Sequence, residues 1–166
     1  MLCLRSIWLG AVTAGDNLSA RHLVFDKCWE AAALVGDILL RCPHLETLVL
    51  SETKDHRILK MVQSLPAYIR HVHVLQQDLK LDNPDYYRSD PPVVLTLLEA
   101  FTFTWLRPAD RESHVLADAD SDALAEVQQA VKSIMTAPQC NFKFLRSTMS
   151  PKDALADALA TLELDL

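Results

Sequence analysis

The feature that most constrains this chain is an apolar spacing that keeps returning. Residues 45–50 read Leu-x-x-Leu-x-Leu, with Thr53 three residues further on. Ala20, Leu23, Phe25 and Cys28 repeat that spacing upstream; Ile69, Val72, Val74 and Gln77, then Leu98, Phe101, Phe103 and Leu106, repeat it downstream. Phe142, Phe144 and Ser147 give a further match. The steps between the middle teeth, Leu23 to Leu48 to Val72 to Phe101 to Phe142, are 25, 24, 29 and 41 residues. Residues two apart share one face of a strand, so each match predicts a short strand with two apolar side chains inward. Leu4, Ile7 and Leu9 predict an earlier strand, with Ile7 and Leu9 inward.

Helical patterns fill the intervals. Ala31, Leu34, Ile38 and Cys42 form one stripe, and Pro43 stops it. Ile58, Met61, Val62 and Leu65 form another between Asp55 and Pro66. Asp90 and Pro91 read as the N-cap and first residue of a helix over 90–100. Leu124, Val127, Val131 and Ile134 form a stripe starting near Ser121 or Asp122. Ser150 and Pro151 open a last helix whose stripe is Leu155, Leu159, Leu162 and Leu166. Strand and helix alternate, which predicts an α/β fold with a parallel sheet and helical crossovers.

These residues resemble the leucine-rich-repeat family, whose consensus Leu45, Leu48, Leu50 and Thr53 follow well. Ala20, Leu23, Phe25 and Cys28 follow it fairly. The stretch "ILLRCPHLETLVLS" is most similar to the repeats of fungal F-box-associated proteins. Gln77 and Leu106 stand where that consensus has asparagine or cysteine. No F-box-like helical segment precedes the repeats, so no role in a ubiquitin ligase is expected. The resemblance implies a short solenoid in one domain, 1–166. Repeats would span about 4–106, a polar insertion 107–121 and a capping region 122–166. The last helix would then cover the open hydrophobic end of the stack.

Composition narrows the function. Half of the 166 residues are apolar and 23% are charged, as in a globular chain. A net charge of −6 argues against nucleic acid and anionic membrane as partners. No run reaches the length of a membrane span. "SIWLGAVTA" loosely follows a signal-peptide pattern, but it is short and sits a few residues after Met1, so a first strand is the preferred reading. Cys3, Cys28, Cys42 and Cys140 form no close pair, which suits free thiols in a reducing compartment, cytoplasm or nucleus. Three glycines leave no phosphate-cradling loop, and there is no nucleophile elbow. No cofactor is expected.

In a solenoid the residues flanking the inward pair line a concave strand face: His22 and Val24, Thr47 and Val49, His71 and His73, Ala100 and Thr102, Asn141 and Lys143. His22, Val24, Thr47, Val49, His71, His73, Thr102 and Lys143 are the candidate partner-binding residues, and a protein partner suits their low charge. His71 and His73 share a strand face but supply only two ligands where zinc takes three or four, so no metal is expected. The acidic run from Asp118 mimics a calcium loop, yet Ala123 replaces its glycine and Gln129 its bidentate glutamate; it reads as a helix cap. Ser113 and His114 lie adjacent in a polar loop with no oxyanion geometry implied. The alternative is a small enzyme on a doubly wound sheet, with its site at the carboxyl ends of the strands near Asp26, Ser51, Glu52 and Gln77.

Overall fold

The computed structural model describes residues 2–5, 19–27, 38–51, 62–77, 92–107 and 117–162. Its strands are β1 (Leu2–Arg5), β2 (His22–Asp26), β3 (Thr47–Ser51), β4 (His71–Gln76), β5 (Val93–Val94), β6 (Ala100–Leu106), β7 (Met135–Thr136) and β8 (Asn141–Ser147). Two helices have defined bounds, α1 (Ala117–Ile134) and α2 (Pro151–Thr161). Six strands form one sheet in the order β1-β2-β3-β4-β6-β8, and every neighbouring pair is parallel. The order follows the chain without reversal.

The apolar spacing sets the register. Leu23 pairs with Leu48, Leu48 with Val72, Val72 with Phe101 and Phe101 with Phe142. Phe25, Leu50, Val74, Phe103 and Phe144 form the next row. Both rows face one core, together with Ile38, Leu39, Cys42, Val62, Leu65, Leu95, Leu98, Val127, Val131 and Ile134 from the connecting segments. Crossovers between sequential parallel strands share a hand, and the described parts of these connections pack on one side of the sheet. The first row changes from leucine through valine to phenylalanine toward β8, and the second also ends on two phenylalanines. There Phe101 stands 5.9 Å from Phe142 and 6.1 Å from Phe144, ring centre to ring centre. Tyr68 pins one connection by donating its hydroxyl to the Cys42 carbonyl at 2.8 Å. Trp105 pins another, its Nε1–H reaching the Gln77 carbonyl at 3.0 Å.

Four expectations change. The first strand is Leu2–Arg5, and Leu2 and Leu4 pair with Leu23 and Phe25. Ile7 and Leu9 lie outside the described residues. The segment 92–99 is not a helix: Val93–Val94 is a two-residue strand paired with Met135–Thr136. Paired prolines followed by two β-branched valines favour extended backbone over helix. Leu95 and Leu98 still reach the core. Helix α1 starts at Ala117, so the acidic run beginning at Asp118 lies in its first turns, where the helix dipole favours acids. Finally, α2 does not lie among the connecting segments or past the last strand. Ala154, Leu155, Ala158 and Leu159 pack with Val24, Val49, Leu75 and Leu106 in a second core on the opposite face. Of the expected helices between β2 and β3 and between β3 and β4, residues 38–40 and 62–63 are helical, and their earlier parts lie outside the described residues. No helix is long and apolar enough to cross a membrane among the described residues.

Candidate functional site

The face turned away from the first core carries three registers that run from β2 to β8, and Leu106 pairs with Ser147 beyond them. His22, Thr47, His71, Ala100 and Asn141 make the first. Val24, Val49, His73, Thr102 and Lys143 make the second, and Asp26, Ser51, Leu75, Thr104 and Leu145 the third. All eight candidate residues therefore occupy two adjacent registers of one face, as the strand period requires.

Helix α2 divides that face. Val24 and Val49 have no exposed surface, and Thr47 and Thr102 are buried. The two valines belong to the second core, so they are not available to a partner while α2 is seated. His22, His71 and His73 are half-buried, and Lys143 is exposed. One signal for the helix was present in the sequence: Val24, Val49, Leu75 and Leu106 put apolar side chains on a face that was expected to be wet.

Beside α2 the face opens into a groove of about 350 Å³. His73, Thr102 and Lys143 line its floor, Leu145 and Met149 its strand side, and Asp157 the helix side. Leu145 and Met149 remain nearly half exposed. His73 Nδ1 is buried without a hydrogen-bond partner. Burial pushes the His73 pKa down, Asp157 pulls it the other way, and Lys143 adds to the lowering. Burial likewise lowers His22, whose Nδ1 also has no partner.

A neighbouring row escaped the sequence reading. Arg21, Glu46, Arg70 and Glu99 each precede a strand and stand side by side, joined by main-chain bonds from Glu46 N to Arg21 O at 2.7 Å, Arg70 N to Glu46 O at 3.0 Å and Glu99 N to Arg70 O at 2.8 Å. Their charges alternate. Arg21 meets Glu46 at 2.6 Å, Arg70 meets Glu99 at 2.5 Å, and His71 Nε2 lies 3.5 Å from Glu99. Exposed pairs of this kind add little stability, but they fix a polar rim above the His71 register. Arg21, Glu46 and Arg70 also line a cleft of about 450 Å³ with His44, Tyr68 and Leu97. The alternation is readable once the strands are aligned, in the column just before each one.

The strand-end residues make a poorer site. Asp26 and Ser51 are in register and buried, and Gln77 follows β4. None of the three lines either cavity. Glu52, Ser113 and His114 lie outside the described residues. No cluster of three metal-ligating side chains occurs among the described residues. Comparison with protein-family models, curated proteins and solved structures returns no match.

Proposed function

We propose that this chain is a protein-interaction module of leucine-rich-repeat type, binding a partner protein through the strand face beside α2 without catalysis. One observation carries the reading: His73, Thr102 and Lys143 sit on adjacent strands of one face and line a groove with exposed Leu145 and Met149, and His71 stands two residues before His73 on the same face. An apolar patch with a charged rim is the usual anatomy of a protein-binding surface, and a few central side chains carry most of its affinity. The sequential parallel sheet, with its inward teeth in common rows, supports the repeat reading. The free thiols of Cys42, which is buried, and Cys140, which is half-buried, suit a reducing compartment.

The test compares the native chain with a His71→Ala, His73→Ala variant in affinity capture of partner proteins. If these two are central contacts, loss should reach about 2 kcal/mol, roughly 30-fold in affinity. Equal recovery by a folded variant would count against the face.

A further inference from the structure

The sheet ends at β8 among the described residues, and that edge is unlike the rest of the molecule. Asn141 N bonds Glu99 O, and Ser147 O accepts from Arg107 N, both toward the strand already paired. Main-chain groups in a parallel strand alternate in direction. The N–H and C=O of Phe142 and Phe144 consequently point to the open edge. Their rings, facing the first core, are only half-buried. On the other face Lys143 and Leu145 are exposed. The strand Asn-Phe-Lys-Phe-Leu-Arg-Ser carries two cations and no acid, in a chain of net charge −6.

We infer that β8 accepts an extended peptide segment of a partner protein as a seventh strand of the sheet. Main-chain hydrogen bonding would supply the pairing, as in other strand additions. The side-chain alternation then states the occupant's chemistry. Residues on one face meet Phe142 and Phe144 and must be apolar. Those on the other meet Lys143 and favour Asp or Glu, since opposite charges across strands stabilise and like charges do not. The same charge rule disfavours a second copy: two-fold pairing of β8 with itself would bring two cationic strands together. This surface shares Lys143 with the proposed face but adds main-chain pairing at an edge; the methylated peptide tests that pairing and the His71→Ala, His73→Ala variant tests the face, so either reading can fail alone.

The probes are labelled seven-residue peptides of alternating apolar and acidic residues, the same with lysine for acid, and the acidic peptide N-methylated at alternate residues. Fluorescence polarisation against the full chain is expected to show binding of the acidic peptide, at least 10-fold weaker binding of the lysine peptide, and none of the form methylated on its pairing side. Lys143→Glu, at an exposed position, should reverse the preference while circular dichroism stays unchanged. Four outcomes would overturn the inference: no binding of the acidic peptide, equal binding of the methylated peptide, no discrimination by charge, or self-association of the chain in place of peptide binding.

Discussion

His73 shows how one residue can be read correctly from sequence and still acquire an unforeseen environment. Its place two positions from His71 put it on the outer face, and it is there. What the strand period could not give was the helix beside it, since α2 is brought there from more than 70 residues away along the chain. Burial against that groove makes the proton costly. Above the ordinary histidine value of 6.5 the ring is neutral in both folded and unfolded chain, and no penalty exists. As pH falls below it, the unfolded chain takes up a proton that the folded chain resists. Stability therefore declines until folded His73 also protonates. His22 shifts the same way and adds to the slope. Urea midpoints should fall between about pH 7.5 and 5.5, above the range where carboxylates titrate. His73→Asn should flatten that slope, and a slope unaltered by the change would remove His73 as its source.

At the scale of elements, the strands were legible because two independent periods agree on them. The two-residue period chose the inward faces, and the repeat spacing chose the partners; together they gave the row from Leu23 to Phe142. Where one period was missing, the reading slipped. "LCLR" is too short to show alternation, so Ile7 and Leu9 drew the first strand away from Leu2–Arg5. Asp90 and Pro91 look like a helix start, but Val93 and Val94 follow at once, and local stiffness won. Helix α2 is the opposite case, with the local signals at its start in agreement. Ser150 has extended backbone, its Oγ accepts from Asp153 N at 3.2 Å, and Pro151 takes the first helical position. The hydroxyl also donates to Asp153 Oδ2 at 2.6 Å. Ser150→Ala removes both bonds at an exposed site and should cost about 1 kcal/mol. Chemical denaturation would read this as a lower midpoint with the same slope. No change would mean that water replaces the cap without loss.

For the whole molecule, the decisive fact is that the sheet has two cores of unequal size. The larger was implied by the repeat, whereas the smaller depends on where α2 comes to rest. A stripe of Leu155 and Leu159 would serve equally to close the end of a stack or to cover a face, so the sequence of α2 alone does not decide. The strand residues beneath it do: Val24, Val49, Leu75 and Leu106 are almost wholly removed from solvent and need a cover. Leu155 and Leu159 are 7% and 2% exposed, so truncation of either to alanine should cost about 2–5 kcal/mol if the site cannot collapse. Removing residues 149–166 should do more. It would bare four contiguous apolar side chains beside an already exposed Leu145, a patch of the kind that drives association. The shortened chain is expected to bind a hydrophobic dye strongly and to sediment as a mixture of oligomers, while the full chain does neither. Far-ultraviolet dichroism should lose little beyond the helix itself, because the larger core keeps its own cover from the connecting segments. A shortened chain that stays monomeric, dye-silent and equally stable would mean that α2 rests on this face without holding it.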